Sequence, residues 1–156
     1  MEDITMDMNV NLVGRGISDM IEAKNNALRL KALIQEEMQA VKAQDQTEMD
    51  TDKNPGDVFI KEDVHFPDGK DVQRLYEYKK TAGGEFYSHS AKYTATGEKL
   101  PIEQKAEITG EKEVYSDLYT RPDGTRSDRI AIFYNNHKGS YIRVNGTETQ
   151  TVDFNY

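Results

Sequence analysis

Residues 17–44 read ISDMIEAKNNALRLKALIQEEMQAVKAQ. Apolar side chains recur there at three- and four-residue steps, which puts Ile17, Met20, Ile21, Ala27, Leu28, Ile34, Met38 and Val41 on one stripe of a helix. Glu22, Lys24, Arg29, Lys31, Gln35, Glu36, Glu37 and Lys42 lie between them and read as a soluble opposite face. No Pro or Gly interrupts the run. Ser18 or Asp19 suits an N-cap, and Asp19 with Glu22 has the spacing of a capping box. This is the one long helix on which the rest of the chain, which reads as strands and turns, can pack.

From Val58 onward, strand-like runs alternate with turn residues about every ten positions, the pattern of an antiparallel meander. The runs are 58–66, 71–79, 86–94, 100–108, 113–119, 130–134, 140–144 and 150–156. Pro67-Asp68-Gly69, Gly83-Gly84, Arg121-Pro122-Asp123-Gly124 and Asn145-Gly146 punctuate them, the last being the strongest two-residue hairpin signal. Ile130–Tyr134 is apolar at both parities, which predicts a strand covered on both faces. The two Pro-Asp-Gly turns lie 55 residues apart (124 − 69), an offset shared by Gly84 with Gly139 and by Phe86 with Tyr141; a duplication would produce it, but recurring hairpin turns account for it more readily.

Upstream of the helix, Ile4, Met6, Met8, Val10 and Leu12 alternate with Thr5, Asp7, Asn9 and Asn11. That spacing predicts a strand with one buried face, ended by Gly14-Arg15-Gly16. It would join the sheet of its own chain or add as an arm to a neighbouring subunit's sheet. Residues 45–57 form a polar, acidic connector.

The fold class that results is α+β. An N-terminal strand and one long amphipathic helix precede an antiparallel meander of six to eight strands that packs on or wraps the helix, with residues 1–156 as one domain. The element order is similar to that of cystatin-like, cone-shaped folds, and to that of tube- and ring-forming subunits of phage tails and secretion machines. The resemblance lies in element order alone and implies architecture, not activity.

Charge narrows the partners. The net charge is −8, and residues 1–57 hold twelve acidic against six basic side chains, so −6 of it falls in the first third. Direct binding to nucleic-acid phosphates is disfavoured, whereas a basic protein partner remains compatible. Cysteine is absent, which excludes disulfides, thiolate metal sites and Cys nucleophiles. No segment approaches the ~18 apolar residues of a membrane span. Met1-Glu2-Asp3 opens no signal-peptide pattern, so the expected location is the cytoplasm or a particle assembled there.

Few residues suggest chemistry. Asp50, Asp52 and Asn54 place oxygen ligands at alternate positions, as calcium prefers, but Pro55 stands where an EF-hand loop needs Gly and Lys61 where it needs Glu. No metal or other cofactor is expected. His65, His89 and His137 lack metal-binding spacing. His89 shares strand parity with Tyr87 and Tyr93, so a pocket built on these three is the one place for a general base or ligand site. Ser88 and Ser90 point away from His89 in a regular strand, and no Gly-x-Ser-x-Gly elbow or phosphate-binding glycine loop occurs. Asn145-Gly146-Thr147 fits a glycosylation acceptor but reads as a hairpin turn.

The expected function is therefore a non-catalytic interaction or assembly subunit that contacts itself or another protein, for instance a structural component of a phage or secretion machine. Its interface candidates are Met6, Met8 and Val10 on the N-terminal strand and Tyr76, Tyr78, Tyr115, Tyr119 and Tyr141 on the sheet. An acidic inhibitor or immunity protein that covers a basic site with Asp45, Glu48, Asp50 and Asp52 is the alternative. A small ligand-binding or enzyme domain at His89 is the third.

Overall fold

A computed structural model describes the backbone of residues 4–44 and 56–156, and the side chains of residues 16–44 and 56–156. One helix, α1 (Ile4–Lys42), precedes eight strands: β1 (Val58–Val64), β2 (Val72–Thr81), β3 (Gly84–Tyr93), β4 (Lys99–Ile108), β5 (Lys112–Tyr119), β6 (Ser127–Tyr134), β7 (Lys138–Asn145) and β8 (Glu148–Asn155). They form one antiparallel sheet in the order of the sequence, each strand paired with its chain neighbours. The α+β layout and the upper limit of eight strands agree with the sequence pattern, and every predicted run coincides with a strand.

α1 lies across the sheet and packs on strands from β1 to β8, most extensively on β8, β7 and β6. Lys42, near its C-terminus, pairs with Glu85 at the start of β3, while Met20 lies near Gly139 and Phe154 of β7 and β8. Under the helix runs a line of directly paired residues: Val58, Tyr78, Tyr87, Ala106, Tyr115, Ala131, Tyr141 and Val152. Alanines among the tyrosines keep this line low enough for a helix to sit on it. Ala23, Ala27, Leu30, Ile34, Met38 and Val41 close the core from above. Each large aliphatic side chain buried there contributes about 1.5–3 kcal/mol of hydrophobic stabilisation.

Four expectations need correction. The stretch read as an N-terminal strand is helical, because α1 begins at Ile4. Alternation at two-residue steps also fills the four-residue steps Ile4/Met8/Leu12 and Met6/Val10, so the pattern fits either element, and Met and Leu favour helix. Gly14, Arg15 and Gly16 consequently lie inside α1, and Asp19 and Glu22 do not mark its start. Second, the buried stripe is Ala23-Ala27-Leu30-Ile34-Met38-Val41, whereas Ile17, Met20, Ile21 and Leu28 are exposed. Among the described side chains, those of α1 that bury against the sheet run from Ala23 to Val41.

Third, β6 is covered on one face only: Ala131 and Phe133 are buried under α1, and Ile130 and Ile132 are half-buried on the outer face. Fourth, the last hairpin turns at Gly146-Thr147, since Asn145 still pairs with Glu148. Only Gly146 has a positive φ there, 65°, which is the type II′ pattern. The 55-residue echo holds for β2 against β6, whose inner residues correspond. It fails beyond the next turn, because Phe86 faces outward and Tyr141 inward. Among the described residues, no helix is long and apolar enough to cross a membrane.

Candidate functional site

α1 covers the row that contains Tyr78, Tyr87 and Tyr115 and, toward β8, the row that contains Phe133 and Phe154, and it leaves the row on the other side largely open. That neighbouring row reads Ile60, Tyr76, His89, Gln104, Asp117, Arg129, Arg143 and Gln150 from β1 to β8. It faces the same side as the core because it lies two residues along each strand. Its composition is polar where the covered row is apolar and aromatic.

The helix flank reaches down to this row at Glu37. One oxygen, Oε1, accepts the Tyr87 hydroxyl at 2.5 Å and lies 2.5 Å from His89 Nδ1. Tyr87 and His89 are two apart on β3, so both face inward and a single carboxylate serves both. Tyr76, directly opposite His89 on β2, stacks on the imidazole with ring centroids 4.2 Å apart. The imidazole is therefore fixed at one edge by Glu37 and on one face by Tyr76.

Electrostatics fix the protonation of this group. Burial pushes the Glu37 carboxyl up, but hydrogen bonds from His89 and Tyr87, with the charges of His89 and Arg74, outweigh it and hold the group below its ordinary 4.5. Burial, and after it the Glu37 carboxylate, raises the Tyr87 hydroxyl far above its usual range. The tyrosine thus stays a proton donor and the glutamate an ionised acceptor.

Beside this cluster lies a cavity of about 440 Å³. His89, Arg74 and Gln104 line it together with Val72, Ala91, Tyr93 and Ile102. An irregularity between Ser90 and Lys92 interrupts the β3–β4 pairing next to it. Further along the same face, Asp117 binds the Arg129 guanidinium. On the opposite face Arg126 pairs with the buried Asp128 at 3.2 Å, and at the turn after β5 Arg121 donates to Asn145 at 2.5 Å.

The pocket read from sequence is thus assembled in part. His89 and Tyr93 line the cavity, while Tyr87 is buried beneath it as support for Glu37. His89 is 20 % exposed at its side chain, neither free nor sealed. Of the tyrosine interface candidates, Tyr78, Tyr115 and Tyr141 are core residues instead. The reason is that the helix flanks are polar and satisfy their hydroxyls: Tyr78 donates to Glu85, which pairs with Lys42, and Tyr115 bonds Glu113 and Gln35. Lys31 pairs with Glu113 at 3.2 Å. Lys31, Gln35, Glu37 and Lys42 therefore line the helix–sheet seam and do not form a solvated opposite face. Tyr76 and Tyr119 remain half-buried on the inner face.

Met6, Met8 and Val10 have side chains outside the described residues, and Asp45, Glu48, Asp50, Asp52 and Asn54 lie outside them altogether, with both the acidic binding stretch and the calcium reading. Among the described residues, no group of three or more His, Asp or Glu side chains is placed to hold a metal ion. Sequence reasoning missed Glu37 and Arg74. Glu37 carries one signal: it directly precedes Met38 and follows Ile34 by three positions, on the border of the buried stripe. Compared with known protein families, curated proteins and solved structures, the chain matches none of them.

Proposed function

We propose that the protein is a non-catalytic assembly subunit that pairs through α1 with a second copy of itself. The observation that carries this reading is the length of the helix. Its 39 residues span about 58 Å at 1.5 Å per residue. Eight strands about 4.8 Å apart make a sheet only about 34 Å wide. Among the described side chains, burial of α1 begins at Ala23, and residues 16–22 before it are exposed.

A helical extension of that kind is marginal in water unless a partner covers it. Ile17, Ile21, Leu28 and Ala32 follow one another at steps of four, seven and four, and all are exposed. They share a stripe roughly a third of a turn from the buried one. Asp19, Glu22 and Arg29 lie on other sides of the helix by the same periodicity, and Lys24, three residues after Ile21 and four before Leu28, is the charge that borders the stripe. Such a seam is self-complementary, and two-fold pairing is the commonest way identical chains satisfy one. Three large aliphatic side chains per copy, each already about half exposed, make a small seam and a micromolar association.

The test is solution mass by light scattering across a dilution series in moderate salt, for the full chain and for a variant carrying Ile21→Glu and Leu28→Glu. A dimer or larger species that becomes monomeric in the variant, with an unchanged circular dichroism spectrum, supports the reading. A wild-type chain that is monomeric at hundreds of micromolar refutes it.

A further inference from the structure

We infer that the cavity beside His89 is a binding site for a small amphipathic monoanion, an apolar body carrying one carboxylate. The inference is independent of self-assembly, since no α1 residue lines the cavity. Its volume of about 440 Å³ lies within the range of small-molecule sites.

The cavity lining is mixed in chemistry. Val72, Ala91, Tyr93 and Ile102 supply its apolar surface, and Ile102 is 50 % exposed. Among them stand two basic groups, Arg74, which is the cross-strand partner of Ala91, and His89. Arg74 forms no ion pair or hydrogen bond among the described residues, although Arg121, Arg126 and Arg129 are all engaged. Lys70 borders the cavity as a second cation, against the single acidic side chain of Asp68. The lining is therefore net positive on a chain of net charge −8, and an anion is the charge it favours.

His89 adds direction. Glu37 occupies Nδ1 and Tyr76 covers a ring face, so Nε2 is the nitrogen left for a ligand. The Tyr87–Glu37–His89 chain holds the ring in place before any ligand arrives, which lowers the ordering cost of binding. A carboxylate that accepts from the Arg74 guanidinium places its apolar body on Ile102, Val72 and Tyr93. Arg74 offers a planar two-donor fork suited to a carboxylate. The inference is of binding and involves no bond-making step.

The experiment is a nuclear magnetic resonance titration of the full-length protein with phenylbutyrate, and with phenylbutanol as its uncharged counterpart. Wild type, Arg74→Gln and Ile102→Glu are compared. Saturable phenylbutyrate binding is expected, with shifts at the His89 ring and at the β2–β4 amides. Phenylbutanol binds about tenfold or more weakly, and Arg74→Gln reduces phenylbutyrate affinity by a similar factor while leaving phenylbutanol unchanged. Ile102→Glu weakens both probes. Arg74 and Ile102 are both exposed, so neither variant disturbs the core. Absence of saturable binding at millimolar phenylbutyrate, equal affinity for acid and alcohol, or an indifferent Arg74→Gln variant overturns the inference. Because self-association is read separately from solution mass, failure here leaves that proposal standing, and the reverse holds too.

Discussion

Replacing Glu37 by alanine is expected to destabilise the fold mainly by orphaning a hydroxyl. Tyr87 is 2 % exposed, and its hydroxyl has Glu37 as the acceptor at 2.5 Å. A buried donor left unpaired costs about 1–3 kcal/mol, and a hydrogen bond to a charged acceptor contributes about 1.5–3 kcal/mol. The Glu37 side chain is 25 % exposed, so solvent weakens its pairing with His89, and the lower part of each range applies. Glu37→Ala should therefore lose about 1–2 kcal/mol, and Tyr87→Phe about 1–1.5 kcal/mol. In the double variant no hydroxyl is orphaned, so the two losses do not add, and a coupling of about 1–2 kcal/mol is expected. Urea unfolding, followed by circular dichroism and tyrosine fluorescence, measures all four corners. A coupling below about 0.3 kcal/mol would refute the shared-acceptor geometry.

The same carboxylate fixes a pH signature. Its folded pKa lies below the ordinary 4.5, so its stabilisation is complete above 4.5 and disappears as pH falls through the folded value. Glu37→Gln should remove that part of the acid slope. An identical slope in both proteins would show that the carboxylate is not held as described.

Two further outcomes follow from packing and burial. Gly139→Ala should lower stability by about 1–3 kcal/mol, because a Cβ there would stand 2.5 Å from the Phe154 ring and 2.7 Å from the Ile132 carbonyl oxygen; an unchanged thermal midpoint would contradict it. Tyr78, Tyr87 and Tyr115 have hydroxyls raised above 10.0, by burial first and then by Glu85, Glu37 and Glu113 respectively. Their contribution is complete below pH 10 and declines above it as the unfolded chain ionises, so tyrosinate absorbance should show these three titrating only with alkaline unfolding.

The sheet was legible because two signals agreed along its whole length. Inner residues alternate, as in Tyr76, Tyr78 and Tyr87, His89, and Gly falls where φ turns positive, at Gly69, Gly124 and Gly146. Helix extent was less legible. A two-residue period contains a four-residue one, so Ile4–Leu12 satisfies both templates, and the helix propensity of Met and Leu is the local signal that separates them. Burial on α1 was misassigned at Leu28 and Ile21 for a related reason. Helical periodicity defines two apolar stripes, and nothing local says which one meets the sheet. Glu37 and Arg74 were invisible because their roles depend on cross-strand register. Glu36 and Glu37 differ by one position, yet Glu37 reaches His89 while Glu36 is exposed.

The strictly sequential strand order has a kinetic consequence. Every sheet contact is between neighbours in the chain, so the hairpins close short loops and contact order within the sheet is low. The helix is the opposite case: it is made first, yet it packs most extensively on β8, β7 and β6, the strands made last. On a ribosome the part of its apolar stripe that packs on β8 must wait, uncovered, until the whole stretch from Val58 to Asn155 has been synthesised. The hairpins are expected to zip early and helix docking to be the late, rate-limiting step. Substitutions at Ile34 should then mainly accelerate unfolding, while those in the β2–β3 hairpin should slow folding itself.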